Sequence, residues 1–510
     1  MDVHRVILRR SRELTVLLMM TSLVGCTSVP TTRPSSSGPT SGTEPQTVQL
    51  KVMEFNIEYG GEGVEFSSVA KAIRAADADV VAIEEAWGNM PAIAADLGWE
   101  YDPATQILSR FPMHAPGGAE GRYTLVEVQP GAVAAIANVH LPSSPYSPFK
   151  IRDGAKPGDI LEAERRVRLE ALRPFLHELS TLVRQQIPVF LVGDFNAPSH
   201  LDWTEAAVGI REHVRYPLAW PVSRAVERAG FMDSFRDVHP DPVSDQGITW
   251  PASRPFVKGY NPGRNGAAAD RIDFVYAAGP AIPVDSFILG EPDAHGVDVV
   301  VEPWPSDHRA LVSVFEVTPA SPPVFVSVTP RLVDAGGDVR VAFNAPTEWD
   351  AHVTVIPAGG APSEALDVLA GGGAETLSTD GWPPGGNRAR LVDGSGETRA
   401  AASYWVREPE EGAVVSTKTH EFGVGEPIIV LWRNAPGNRW DWVGIYRRGA
   451  DPNVAYYLQW AYTEASIVGA AILGEDANGP WPLKPGAYSV YLLEDDGYET
   501  LAAATFRVRP

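Results

Sequence analysis

Hydrophobic positions along this chain follow two periods, and their order predicts its layers. Val48 to Ile57 alternates at period two and predicts a strand, whereas Val69, Ala70, Ile73 and Ala76 recur at helical spacing within Phe66 to Ala76. Asp79 to Ile83 is a short apolar strand, and further strands are predicted over Thr105 to Ser109, Tyr123 to Val128 and Ala132 to Leu141. A long helix fits Asp159 to Gln186, and a buried strand fits Pro188 to Val192. Helices alternating with strands indicate an α/β unit. The pattern changes after Val317. Pro319, Pro322 and Pro323 form a linker, and from there to Pro510 strands alternate with Gly and Pro turns, as in all-β sandwiches.

The β-rich half repeats. Val341-Ala342-Phe343-Asn344-Ala345-Pro346 answers Leu431-Trp432-Arg433-Asn434-Ala435-Pro436, and Trp349-Asp350 answers Trp440-Asp441. Trp382-Pro383 answers Trp481-Pro482, and Glu397-Thr398 before Ala400 to Ala402 answers Glu499-Thr500 before Ala502 to Ala504. Two related immunoglobulin-like modules follow from this. The second is rich in aromatics, among them Trp440, Trp442, Tyr446, Tyr456, Tyr462 and Tyr491. Exposed rings would bind carbohydrate or an envelope protein, but alternating aromatics in a sandwich mostly form its core, which is the role expected here.

At the other end, Arg5, Arg9, Arg10 and Arg12 precede an apolar run from Leu14 to Gly25 that is too short to span a bilayer. This reads as a secretion signal. Leu23-Val24-Gly25-Cys26 closes it and resembles the lipobox of bacterial lipoproteins, which implies that the thiol of Cys26 carries a lipid and becomes the mature N-terminus. Cys26 is the single cysteine of 510 residues, so an intrachain disulfide framework and a Cys-based zinc cluster are both excluded. Residues 27–46 are Ser, Thr, Pro and Gly with few large apolar side chains, and form a tether. The expected organisation is a signal over 1–25, a tether over 26–46, a catalytic unit over 47–318 and β-modules over 324–408 and 412–510.

Polar residues cap the apolar strands of the α/β unit, where such folds place their sites. Asn56 follows Met53-Glu54-Phe55, Glu85 ends Val80-Val81-Ala82-Ile83-Glu84-Glu85, and His140 ends Ala137-Asn138-Val139. Gly193-Asp194-Phe195-Asn196 follows Val189 to Val192, and Arg271-Ile272-Asp273-Phe274 and Ser306-Asp307-His308-Arg309 complete the set. Carboxylates and Asn amides supply hard oxygen ligands, which suit Mg²⁺, with Mn²⁺ or Ca²⁺ as alternatives, better than zinc. Two histidines add proton-transfer capacity, and His308 pairs most naturally with Asp273.

In this order, FN, EE, VHL, GDFN, RIDF and SDH resemble the endonuclease/exonuclease/phosphatase superfamily, over about Val48 to Val317. The resemblance implies a four-layer α/β/β/α sandwich with its site at one edge of two central sheets. It implies that Asn56 and Glu85 hold the metal with Asp307 close by, and that Asp194 orients or deprotonates the attacking water. Asn196 would orient phosphate and water, and His140 and His308 would contact the scissile phosphate, with Asp273 behind His308. The implied reaction is in-line attack of water on a phosphate ester. One departure stands out, because the superfamily usually has Gln where this chain has Glu84. Strand alternation predicts Glu85 inward with Asn56, and Glu84 on the opposite side, structural or exposed.

Charge bears on the substrate. The chain carries 42 Lys and Arg against 64 Asp and Glu, a net charge of −22, which excludes a polybasic nucleic-acid clamp. Removing residues 1–25 takes away four Arg, one Asp and one Glu, so the charge deepens to −24. Arg165, Arg166 and Arg168 are interleaved with Glu162, Glu164 and Glu170 and predict a solvated helix face. The segment from Lys258 to Arg264 is a candidate substrate loop, Pro142 to Lys156 is expected to wall the site, and Thr249-Trp250-Pro251 resembles a segment near the phosphate. The expectation is an enzyme of the bacterial cell envelope, lipid-anchored at the outer membrane or cell surface, acting on a phosphoester substrate. A small or amphiphilic phosphoester ranks above duplex DNA. The alternatives are a secreted nuclease acting on extracellular nucleic acid and a non-catalytic surface binding lipoprotein.

Overall fold

A computed structural model describes residues 46–252, 268–360, 366–370, 373–475 and 479–510. The signal, Cys26 and the Lys258 to Arg264 segment lie outside the described residues. Two β-sheets form the centre of the first unit. The seven-stranded sheet has the order Val299–Val300, Ala281–Gly290, Ala310–Val317, Val48–Asn56, Val80–Glu84, Ile107–Ser109, Glu100–Asp102. The six-stranded sheet runs Met113–His114, Thr124–Gln129, Ala132–His140, Val189–Asp194, Asp273–Ala278, Met232–Asp233.

Alternation along the strands builds three apolar layers from these two sheets. Met53, Phe55, Val81 and Ile83 face the helices Ser67–Ala76 and Met90–Leu97. Leu50, Val52, Val80 and Ala82 meet Ala134, Ile136, Phe190 and Val192 of the other sheet. On the far side, Ala135, Ala137, Val189 and Leu191 pack under the helices Glu170–Arg184 and Pro221–Arg228. The result is the four-layer α/β/β/α sandwich that the family resemblance implied.

The long helix departs from its expected form. Pro157–Glu164 passes into a π-turn over Arg165–Leu169 before Glu170–Arg184 resumes α-geometry. Pro174 lies inside the helix and removes one amide donor from it. The face is not solvated throughout. Arg168 and Glu164 are both buried and paired, and Arg168 Nη2 donates to the carbonyls of Ser143 (3.2 Å) and Pro145 (2.9 Å). That pair ties the segment after His140 to the helix, so it is anchorage rather than surface.

Two immunoglobulin-like sandwiches follow, and their repeat is complete at the level of topology. In the first, Phe325–Thr329, Asp338–Asn344 and Gly373–Ser378 oppose a sheet ordered Leu332–Asp334, Thr398–Arg407, Gly385–Val392, His352–Ile356, Leu366–Ala370. In the second, Val414–Thr417, Ile428–Arg433 and Gly469–Leu473 oppose Glu421–Gly423, Thr500–Arg509, Gly486–Leu493, Trp442–Arg447, Gln459–Tyr462 in the same order. Even the bulge recurs, between Leu391 and Val392 and between Leu492 and Leu493. Trp440, Trp442, Tyr446 and Tyr488 are buried, as expected of core aromatics, while Tyr456 is exposed.

The prolines after Val317 are not a free spacer. Ala320 pairs with Val133 through two backbone hydrogen bonds, and Phe325 and Ala342 enter the same apolar cluster as Leu125 and Phe175. Burying a side chain of this size contributes about 1.5–3 kcal/mol, so the first module is fastened to the α/β unit.

Candidate active site

The layer between the two sheets is apolar along most of its length and turns polar at one edge. Strand parity does this. Leu50 and Val52 are followed on the same face by Glu54 and Asn56, Val80 and Ala82 by Glu84, Phe190 and Val192 by Asp194, and Ala134 and Ile136 by Asn138 and His140. Asp273 heads Asp273–Ala278 on the face shared with Val275 and Ala277. Parallel registers align Asn56 with Glu84 and His140 with Asp194, and the antiparallel neighbour aligns Asp273 with Asp194.

Local backbone geometry fixes several of these groups. Gly193 takes φ 135°, and a β-carbon there would sit 1.9 Å from the carbonyl oxygen of Val139, so no other residue fits between these strands. Glu85 (φ 56°) and Asn196 (φ 49°) adopt left-handed backbones that cost on the order of 1–2 kcal/mol each and re-aim their side chains at the rim. Arg271 is buried and bonded to Asp202 and Asp233, and Asp270 accepts from Trp203, Arg211 and His213. These charge-assisted bonds clamp the chain on the N-terminal side of Asp273.

The side chains converge. Asn56 Nδ2 lies 3.3 Å from both Glu85 Oε1 and Asp194 Oδ2. Asp194 accepts from the Asn196 backbone (2.7 Å) and amide (3.0 Å), and its Oδ2 lies 3.6 Å from His140 Nε2 and 3.9 Å from His308 Nε2. His308 Nδ1 sits 3.0 Å from both oxygens of Asp273, and Asp307 Oδ1 lies 3.8 Å from His308 Nε2. Asp307 also accepts from Trp250 Nε1 (3.1 Å), so the Thr249-Trp250-Pro251 segment stands at the site. Tyr146 and Phe149 pack edge-on and tilted against Trp250 and wall that side. All eight candidate side chains of the α/β unit therefore meet at one rim.

The electrostatics are dominated by crowded carboxyls. Burial, aided by Asp273, raises Asp194 to about 6, and burial likewise raises Glu85. Burial alone would lower both histidines. Asp273 outweighs it for His308, whose pKa is well above the usual range, and Asp496 with Asp194 and Glu85 outweighs it for His140, which rises to about 10. Each imidazole has a carboxylate on Nδ1, which leaves Nε2 on the side of Asp194.

The alternation expected of Glu84 and Glu85 does not hold. The strand ends at Glu84, which faces the inter-sheet layer beside Asn56, and Glu85 reaches Asn56 only because its positive φ breaks the alternation. Glu84 is buried against Glu54, with burial as the main cause of a pKa raised to about 8, and Glu54 is raised well above normal for the same reason. The pair holds at least one proton at neutral pH. Glu54, Glu84 and Asn138 form a polar floor under the rim, and the signal for them is parity, Glu54 with Asn56, Asn138 with His140, and Glu84 with Val80 and Ala82. Another contributor is Asp496 of the second β-module, whose Oδ2 lies 3.1 Å from His140 Nδ1.

Residues 53–308 match the Endonuclease/Exonuclease/phosphatase family. The chain belongs to this family. It is a phosphoester hydrolase. Over 265 residues it is 30% identical to an uncharacterized protein of Caenorhabditis elegans, F14F9.5, covering 46% of this chain and 80% of that protein. Among solved structures, an endonuclease/exonuclease/phosphatase from Beutenbergia cavernae is 17% identical, with 70% of this chain and 99% of that chain covered and a TM-score of 0.33. A mannosyl-6-phosphatase of Bacteroides thetaiotaomicron is 13% identical, with 52% and 99% covered and a TM-score of 0.33.

Family members typically use a divalent metal, and the donors present fit one. Glu85 and Asp307 bring carboxylates, and Asn56 Oδ1 keeps a second lone pair beyond its bond from the Glu58 amide. Ligand atoms of Asp194, Asp273 and His308 also lie within 4.8 Å of one another. In that trio His308 Nδ1 is already engaged with both oxygens of Asp273 at 3.0 Å.

Proposed function

We propose that this protein is a metal-dependent phosphoesterase that hydrolyses a compact phosphate mono- or diester at the inter-sheet rim, and that Cys26 tethers it by a lipid to a bacterial envelope. The observation that carries the catalytic reading is the convergence of Asn56, Glu85, His140, Asp194, Asn196 and His308 within hydrogen-bonding and ion-pair reach of one another.

In this reading Glu85, Asn56 and Asp307 hold the cation, most simply Mg²⁺, which supplies Lewis-acid neutralisation of the phosphate oxygens when bound. The remaining residues act on substrate and water. Asp194, raised to about 6 by burial and its acidic neighbours, orients the attacking water and takes its proton. Asn196, whose amide also donates to the Leu141 carbonyl (3.0 Å), is locked to position phosphate and water. His140 and His308 present cationic Nε2–H groups to the charge that develops on the phosphorus oxygens. Asp273 fixes the tautomer of His308.

A compact substrate is supported by the aromatic wall of Tyr146, Phe149 and Trp250 and by carboxylates facing the rim, which together oppose a long polyanion. The deciding experiment is thermal melting with added Mg²⁺ together with hydrolysis of bis-p-nitrophenyl phosphate. The expected result is a Mg²⁺-dependent rise in Tm and turnover, both lost in Glu85→Ala, with kcat down at least about 10³-fold. No Mg²⁺ shift and no turnover would defeat the enzymatic reading, and rapid plasmid nicking at physiological salt would defeat the compact substrate.

A further inference from the structure

The second β-module reaches into the rim just described. Its loop from Glu494 to Gly497 carries Asp496, whose Oδ2 lies 3.1 Å from His140 Nδ1 across 356 residues of sequence. One contact holds that carboxylate, a second its backbone, and a third the imidazole it meets. Tyr462 Oη donates to Asp496 Oδ1 at 2.5 Å, the Asp496 amide donates to the Trp440 carbonyl at 2.9 Å, and the Trp440 ring stands edge-on to His140 with centroids 5.7 Å apart. The loop is also fastened to the chain just after Glu85. Gly88 N donates to Asp495 Oδ2 (3.1 Å), and Trp87 packs edge-on against Tyr498 at 6.0 Å. A β-carbon on Gly88 would lie 2.8 Å from Glu494 Cδ, so the two surfaces are in close contact. Beyond the loop, the Arg439 amide donates to the Pro103 carbonyl (2.9 Å) and its guanidinium lies over Phe175.

The sister module shows what the loop would be without this role. There the amide that donates to the equivalent tryptophan carbonyl, Trp349, belongs to Gly394, which has no side chain. The neighbouring carboxylate, Asp393, is spent on its own loop, accepting from Ser395, Glu397 and Arg399. The second loop is one residue longer and sends its carboxylate outward to His140.

We propose that the second β-module is an integral part of the active site, and that Asp496 is the positioning residue that holds His140 in the tautomer and orientation that present Nε2 to the substrate phosphate. This rests on the phosphoesterase reading and adds to it a residue from outside the catalytic unit. His140 then has two carboxylates in defined places, Asp496 on Nδ1 and Asp194 near Nε2, with the charge of Glu85 beside them. It mirrors His308, whose Nδ1 carboxylate, Asp273, comes from within the α/β unit. A carboxylate behind an imidazole fixes the ring and stabilises its cation, and removing such an outer partner commonly costs 10–100-fold.

The test uses the full chain with Asp496→Asn, Asp496→Glu and, as a control on an exposed position of the same module, Val454→Ser. With Mg²⁺ and bis-p-nitrophenyl phosphate, Asp496→Asn should lower kcat 10–100-fold, with KM within about threefold and the alkaline limb of the kcat–pH profile moved to lower pH. Asp496→Glu should recover part of kcat, and Val454→Ser should match wild type. A folded Asp496→Asn with wild-type kcat and pH profile overturns the proposal while leaving the phosphoesterase reading intact. Should the wild type turn over no phosphoester, proton NMR of the imidazole N–H groups decides independently. The His140 Nδ1–H resonance, assigned by its loss in His140→Gln, should be protected in wild type and absent in Asp496→Asn. Its persistence in Asp496→Asn overturns the proposal.

Discussion

The two β-modules share strand order, a bulge at matching positions and the same tryptophan beneath the same loop, yet they stand in different relations to the chemistry. The first packs Phe325 and Ala342 on the outer apolar layer of the α/β unit, in the cluster beneath the helix Glu170–Arg184. The second places Asp496 on His140 and Asp495 on Gly88. Topology therefore says little about role. The difference lies in a loop one residue longer and in a carboxylate where the first module has Gly394.

The comparison can be broken by exchange. Replacing Glu494 to Glu499 with Asp393 to Glu397 removes both Asp496 and the Asp495 bond to Gly88, and kcat should fall about 100-fold or more, the upper end of what an outer carboxylate contributes. Circular dichroism should show the sandwich intact. Retained turnover in the exchanged chain would mean that the two loops are equivalent and the contact with His140 incidental.

A smaller effect follows from pH. The bond to Asp496 helps raise His140 from its ordinary 6.5 to about 10 in the folded state. A group whose folded pKa is raised stabilises fully below its unfolded pKa and loses that contribution as pH climbs through the folded value. Urea unfolding of wild type and Asp496→Asn should thus differ by about 1.5–3 kcal/mol at pH 6, the usual worth of a charged hydrogen bond, and converge near pH 10. A gap that widens with rising pH would contradict the ion pair. The smallest effect belongs to the first module. Gly394→Asp leaves kcat unchanged and shifts stability by less than about 1 kcal/mol, because the position is exposed. A marked loss there would show that both loops are tied to the site.

Much of the catalytic unit was legible along the chain. Alternating apolar runs with a polar residue at the last position point Asn56, His140 and Asp194 to one rim, and Asp273 joins them from the first position of an antiparallel strand, since period two decides which side chains share a face. Glu84 faces the opposite way from the expectation because the strand ends at Glu84 and the positive φ of Glu85 resets the alternation. The Arg and Glu pattern around Arg168 does not show its burial, because sequence displays charges but not the carbonyls of Ser143 and Pro145 that receive Arg168. Asp496 could not be assigned from sequence at all. Nothing local distinguishes an acidic turn facing solvent from one facing a histidine 356 residues away.

The sequence by itself determined the layers, the module repeat and the identity of the strand-end residues, because these depend on short-range periodicity and on residue chemistry. The tertiary structure decided which carboxylate serves which histidine, which acids must share a proton, and that a module outside the catalytic unit closes part of its rim. Those outcomes depend on distance and burial. A charge is set by the neighbours that folding brings within a few ångströms of it and by the water that folding removes.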